Sequence, residues 1–591
     1  MIKGGRRRDT SYLFHAGLTT LALTAFLVLS ATSAFAQKRV IQKWVNRVDV
    51  AQAGGRGATV PLITADTQKN VYVAGNPNYV SQQPNTVISQ FLEVIKYNST
   101  GTKVWSDVIN TPGYSPVASA ITVDSSGNVF LAGLAFTDSP TAEFVVAKVS
   151  SSGSTEWFAT YSFPDRNGDA YPYSMWVAGI VVDSLGNSYI TGWAKEDTSG
   201  PITTIKFSPT GARLWVRQFN DGNIDIASGM VLDSQNNVLV TGQVKPCEIG
   251  CTGNDVGITI KYNTNGTQLW TAYTGKNTSA PAGTSVYDNT AIAADSSGNA
   301  YVAGWFNTNG STCRPNPSRS AVLCQTGYVV KYSSTGAEVW SQQNALWGST
   351  AIKLDREGSI FTAGSYLTSN SSHFSVTRLN PSGTLLWNRQ YQHTSTGDDE
   401  AFALAVNYDS DAYVTGQSTS TNNATGFDCV TLKFDYKGDL DWIAVYSGSG
   451  SGNDIGSAVT FSQANLYVAA QSVGSNKLPG WALIEYLQDA AVVTPSSRTF
   501  SSQKIGTASA AQSVTLTNTY WGTDLKLESI NVHGPFSQTN NCSSVIVPFG
   551  SCTITITFKP TTTGVQTGSI DIYDQWAGSP AIITLTGTGT N

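Results

Sequence analysis

An apolar run, a polar turn and a second apolar run ending in glycine recur along most of this 591-residue chain. In the copy at 178–192, Ala-Gly-Ile-Val-Val-Asp-Ser-Leu-Gly-Asn-Ser-Tyr-Ile-Thr-Gly, two strands flank a tight Asp-Ser-x-Gly-Asn turn, which predicts a β-hairpin. Taking Asp183 as the register mark, the equivalent positions are Asp66, Asp124, Asp233, Asp295 and Asp355, followed by the degenerate Asn407 and Phe461. The last two are placed by counting back from Tyr413 and Tyr467. A second phrase follows each hairpin: an apolar residue, Lys, an aromatic or apolar residue, three residues, Gly, three residues, Trp. It reads Ile95, Lys96, Tyr97, Gly101, Trp105 in one unit and Ile260, Lys261, Tyr262, Gly266, Trp270 in another, with Trp157, Trp215, Trp340, Trp387 and Trp442 at the same offset elsewhere.

Successive marks lie 50–62 residues apart, enough for four short strands and their turns. Such a unit cannot bury both its faces alone, and radial stacking of four-stranded units is the solution a β-propeller adopts. Trp44 stands before the first hairpin as the Trp strand of a unit, while the last hairpin is followed by Ile484, Glu485 and Tyr486 but by no Trp phrase. The first strand is therefore expected to complete the last unit and close the ring. That count predicts eight blades over 38–487, with seven as the alternative if one unit is squeezed out. From 491 to 591 the pattern changes to strict alternation, as in 512–517, 553–558, 569–573 and 581–586, which predicts an immunoglobulin-like β-sandwich.

Residues 1–36 have the form of a secretory signal: Arg6, Arg7 and Arg8, an apolar run from Leu18 to Ser30, and a small-x-small site at Ala34, Phe35, Ala36. The expected location is secreted, periplasmic or cell-surface, with no transmembrane span in the mature chain. The composition suits an exported all-β protein, with 55 Gly, 10% aromatic and only 13% charged residues. A net charge of −5 and the lack of a basic cluster in the mature chain argue against nucleic acid as a partner. In an oxidising compartment the cysteines are expected to pair locally, Cys542 with Cys552, Cys313 with Cys324 and Cys247 with Cys251, leaving Cys429 as a buried thiol.

The Asp-Ser-x-Gly-Asn-x-Tyr-Val-x-Gly hairpin with its Lys-Tyr-x-x-x-Gly-x-x-x-Trp phrase resembles the bacterial β-propeller repeat family called SBBP, and more loosely the NHL repeats. The tail resembles the ASH-type (ASPM, SPD, hydin) immunoglobulin-like domain, through 500–506, Cys542, 550–553, 558–560, Ser579, Pro580 and 585–589. Both resemblances imply an exported scaffold or binding role; neither implies a catalytic mechanism or a defined ligand.

The candidate site residues follow from departures from the repeat. The register Trp residues are expected to pack between blades. Trp176, Trp193, Trp305, Trp347 and Trp481 lie off that register, and Trp193 and Trp305 follow the hairpin-ending glycine, where an aromatic can stack on a sugar or clasp a peptide. Asp398, Asp399 and Glu400 form the densest acidic cluster and are the candidate catalytic or calcium residues; Asp225, Asp288 and Asp454 mark similar places in other units. The repeated Asp is expected to cap its turn, with the repeated Lys (Lys96, Lys148, Lys206, Lys261, Lys331, Lys433, and Arg378) as its partner. Only His373, His393 and His533 remain outside the signal, with no zinc-ligand spacing, and no cofactor is expected. The function expected is recognition of protein or carbohydrate. The competing class is a propeller-based polysaccharide lyase or glycosidase using acids at the mouth, and the third is a structural wall component.

Overall fold

Each hairpin phrase begins a separate four-stranded antiparallel sheet. In the computed structural model, Met175–Val182, Ser188–Ala194, Ile202–Phe207 and Arg213–Phe219 pair in chain order, and the same order holds for the sheets beginning at Leu62, Ser115, Ile224, Tyr287, Ser349 and Asp399. The structure describes residues 40–591 apart from 49–59, 77–91, 110, 112, 137–141, 164–174, 195–199, 222–223, 246–254, 276–286, 308–324, 347, 368–370, 394–396, 408–409, 421–425, 451, 463–464, 476–478, 489–490, 519–523 and 575–579. The expected signal at 1–36, Trp347 and Cys247, Cys251, Cys313 and Cys324 thus lie outside the described residues.

The first strand of each sheet packs beside the first strand of the next, and the strand Ile455–Ser462 packs beside Leu62–Ala65 of the first sheet. The sheets thereby radiate from a central channel, the arrangement of a β-propeller. The last sheet draws its outer strand from the other end of the chain: Val40–Val48 pairs antiparallel with Pro479–Gln488. Alternate side chains of the sheets fill the gaps between neighbours. Phe130, Phe144 and Val146 of one sheet, for instance, share a core with Val177, Ile190 and Phe207 of the next.

The motif residues each have a physical cause. Asp183 accepts the N–H groups of Leu185 and Asn187 at Oδ1, and the Asn187 amide and the Tyr189 hydroxyl at Oδ2, so both oxygens are committed to the turn. The hairpin-ending glycine is required because a one-residue bulge in the first strand pushes a carbonyl against it. A Cβ on Gly192 would lie 2.2 Å from the Trp176 oxygen, and one on Gly242 1.9 Å from that of Ile226.

The repeated glycine and tryptophan of the second phrase meet across sheets. Gly153, Gly211, Gly266, Gly336, Gly383 and Gly438 adopt positive φ in the third-to-fourth strand turn. A Cβ on any of them would sit 2.6–2.9 Å from the indole of Trp105, Trp157, Trp215, Trp270, Trp340 or Trp387 of the preceding sheet. Those indole N–H groups donate to a carbonyl of the same turn, for example Trp215 to Thr264 at 3.1 Å and Trp387 to Tyr436 at 3.0 Å. At ring closure Trp44 of the N-terminal strand lies on Gly101 in the same way, but its indole N–H makes no bond to that turn among the described residues. Trp442 precedes the closing sheet, whose outer strand arrives from the N-terminus without that turn, and it is buried against Tyr486 instead.

The repeated Lys meets its Asp in some sheets only. Lys261 lies 2.8 Å from Asp233, Arg378 3.1 Å from Asp355 and Lys206 3.9 Å from Asp183. Lys148 turns to Glu156, and Lys433 to Asp411 and Asp441, the carboxylate having moved along the turn from Asn407. In the last sheet the register mark is Ser462, not Phe461. Thr460 pairs with Tyr467 as Val181 pairs with Tyr189, and the turn is one residue shorter, which counting back from Tyr467 overlooks. Here Glu485 holds the lysine position and is paired with Lys43, 3.3 Å away on the N-terminal strand.

Beyond 490 two further sheets share one core. Ala491–Thr494, Gln512–Asn518, Ser551–Phe558 and Phe536–Asn540 form one, and the strands at Ser497, Ala581, Gly564, Leu525 and Val545 the other, with Gln503–Lys504 added at the edge. Val514, Leu516, Ile554, Ile556 and Phe558 face Ile570, Ile572, Ile583 and Leu585, each side chain contributing about 1.5–3 kcal/mol by leaving water. Cys542 and Cys552 form a disulfide, and Cys429 is a buried free thiol.

Candidate functional site

In each repeat sheet the two hairpin turns lie on one face of the propeller. The starts of the first strands and the second-to-third strand loops lie on the other. The candidate tryptophans and acids of the described chain stand toward this second, loop face, Trp481 being buried beneath it opposite Gln471. Trp176, Asp288 and Glu400 occupy one register position, two before the bulge, where they face Trp193, Trp305 and Gln417 across the strand pair. Val117, Ile226 and Ile455 hold that place in other sheets. The rim is thus apolar and aromatic over one arc and acidic over another, unlike the repeated turn face.

Trp176 is 54% exposed, and its cross-strand neighbour Trp193 is half-buried, as is Trp305 beside Asp288. Among the described residues none of these three makes a ring contact or an indole hydrogen bond, in contrast to the register tryptophans. Trp481 is 1% exposed and belongs to the core.

The acidic cluster does not converge. Asp398 accepts the Ser372 N–H at 2.9 Å, Asp399 is fully buried and accepts the His393 N–H at 2.9 Å, and Glu400 accepts the Gln417 amide at 3.0 Å. Asp399 has equivalents in Asp225 and Asp454, which accept the N–H groups of Asp221 and Gly448. Each holds the incoming loop onto the start of its strand. Asp288, grouped with them by sequence, stands one residue further along and belongs to the rim.

Burial raises these carboxyls. Asp225, fully inaccessible and with no partner for Oδ1 among the described residues, is pushed up to about 7 by desolvation, the nearby Asp221 adding to the effect. Asp288 rises to about 6 through desolvation, with Lys245 opposing and Asp255 reinforcing. Asp399 and Asp454 also rise by burial, offset by the Ser418 and Ser472 hydroxyls and by backbone N–H groups. No group of three or more His, Cys, Asp or Glu among the described residues is placed to hold a metal ion. No helix among them is long and apolar enough to cross a membrane.

The SBBP β-propeller repeat family matches residues 165–197, the segment containing Trp176 and Trp193. No curated protein matches the chain. Among solved structures it is similar to the C-terminal WD40 domain of Sif2, with 10% identity over 76% of this chain and 98% of that one, at a TM-score of 0.42. It is also similar to the polysaccharide lyase Uly1, with 8% identity over 74% and 90% of the two chains and a TM-score of 0.39. A protein of unknown function from Dyadobacter fermentans has 8% identity over 77% and 100%, at 0.35. Likeness at this level carries no argument.

Proposed function

We propose that this chain is an exported, non-enzymatic binding protein: a signal at 1–36, an eight-bladed propeller at 38–487 closed by its own first strand, and an immunoglobulin-like domain at 491–591 acting as spacer or attachment. It recognises protein or carbohydrate through the loop face, with Trp176, Trp193 and Trp305 as the aromatic contacts. One observation carries this reading. Every register tryptophan of the repeat is packed into the ring, whereas Trp176 stands exposed beside Trp193 on the rim. An exposed, rigid indole on a framework locked by Gly192 is suited to stacking against a ring or a peptide.

The acids give a second reading, a lyase or glycosidase, because Asp225 and Asp288 titrate near neutrality, as general acids and bases do. Accessibility weighs against it: Asp225 is inaccessible to a substrate, so the two do not form a reachable pair. A glycan and peptide array on the mature protein, beside Trp176→Ala/Trp193→Ala and Asp288→Asn, separates the readings. Selective binding lost in the tryptophan variant supports recognition. Turnover of an array glycan that Asp288→Asn abolishes supports the enzyme, and no binding in any sample sinks the aromatic site.

A further inference from the structure

Repetition provides its own control, and one position in the channel breaks it. Two residues before the turn cap, the first strands carry Thr64, Thr122, Val181, Val231, Ala293, Ala405 and Thr460, all neutral and small. The sheet beginning at Ser349 carries Lys353 instead. Its strand is the edge strand of its sheet and packs between the first strands Tyr287–Ala294 and Asp399–Val406, so its free edge faces the channel. Lys353 is exposed on this inner edge of the ring.

No carboxylate pairs with it among the described residues. On the flanking strands the acids are Asp288, Asp399 and Glu400, all at the loop-face end, roughly 15 Å away along a strand. The nearer Asp355 is engaged by Arg378 and by the Ser410 hydroxyl. The second strand of the sheet, Ile360–Leu367, carries no acid. Lys353 therefore differs from the repeated lysines, which sit among carboxylates or turn carbonyls. Loss of hydration alone draws its ammonium pKa down, the signature of a cation lacking its counter-charge. An uncompensated charge in an enclosed space is a cost that an arriving anion relieves.

We propose that the propeller channel is an anion-binding site in which Lys353 receives a carboxylate or phosphate group. The ammonium supplies up to three donors to such a group, and the neutral ring residues offer no competing charge. This site is separate from the aromatic rim and stands or falls without it.

The test is calorimetry on the mature protein at constant ionic strength, with sodium succinate in one arm and inorganic phosphate in the other, for wild type, Lys353→Met and Lys353→Arg. We expect one anion to bind with a single site, a loss of about tenfold or more in Lys353→Met, as removal of one charge-assisted hydrogen bond implies, and retention in Lys353→Arg. The arm that responds identifies the anion. A second reading uses only folded wild type: in lysine-labelled protein, the NMR pKa of one ammonium, assigned by its absence in Lys353→Arg, rises when that anion is added. Failure of both anions to bind, equal binding by Lys353→Met, or no lysine resonance that responds overturns the proposal.

Discussion

The two faces of the propeller are built on opposite principles. On the turn face six successive sheets repeat one joint: an Asp or Asn capping the first turn, a glycine at positive φ in the second, and an indole from the preceding sheet laid on that glycine and bonded to the same turn. On the loop face the rim position two before each bulge changes from Trp176 to Asp288 to Glu400, and the residues behind it from Met175 to Asp225 to Tyr287. Uniformity is what a ring of interchangeable wedges needs for closure, and variation is what recognition needs. The difference assigns stability to the turn face and leaves the loop face as the place of the proposed recognition.

Substitutions should separate the faces by size of effect. The largest loss of stability is expected from Trp387→Ala. The side chain is 6% exposed, packs against Phe361 and Phe434, and bonds to Tyr436. Its removal should cost about 3–5 kcal/mol in chemical denaturation, and a loss below that of a surface change would break the contrast. Next comes its seat. Gly211→Ala places a methyl 2.7 Å from Trp157 at φ +82°, for about 2–4 kcal/mol from backbone strain and overpacking together. Gly113 on the loop face has a similar φ of +80° but nothing within 4 Å, so Gly113→Ala should cost only the backbone share, about 1 kcal/mol.

The buried acids of the loop face predict a pH dependence opposite in sign to that of the turn caps Asp233 and Asp295, whose hydrogen bonds outweigh burial and hold them below the ordinary carboxyl range. Asp225 titrates near 7 in the folded chain, above the ordinary carboxyl value of about 3.9 expected when unfolded. The folded state therefore favours the protonated form. The contribution of this group to stability is greatest at low pH and is lost progressively as pH rises between those two values. With allowance for solvent screening, roughly 1–2 kcal/mol should be lost between pH 5 and pH 8. Asp225→Asn should melt higher than wild type at pH 8 and show a flatter profile. A variant profile parallel to wild type would locate the titration elsewhere.

The repeat, its four-strand units and the first strand's place in the last sheet were legible in sequence because each rests on local chemistry that leaves a fixed letter: Asp for the cap, Gly for positive φ, Trp for the joint. What was not legible depends on pairing geometry. A turn shortened by one residue moves the last register mark from Phe461 to Ser462. The meaning of Gly192 was hidden too, since the carbonyl that excludes its Cβ comes from the bulged strand. Lys43 and Glu485 exchange the usual positions of acid and base, a relation seen only once the chain's two ends are paired. Lys353 did leave a signal, a single charged letter in a column of neutral ones, visible when the units are aligned on their Asp.

The smallest expected effect on stability is also the one that tests the comparison hardest. Trp176→Ala removes a large indole, yet more than half of that side chain is already in water and no ring or indole hydrogen bond among the described residues depends on it. Its loss should change stability by less than about 0.5 kcal/mol, an order of magnitude below Trp387→Ala for the same chemical change. Binding to any array ligand should fall by about tenfold or more if that indole is a contact centre. A destabilisation of several kcal/mol would mean that Trp176 is framework after all, and the loop face would lose its claim to be the variable one. Stability unchanged with binding lost is the result that joins the exposed tryptophan to function.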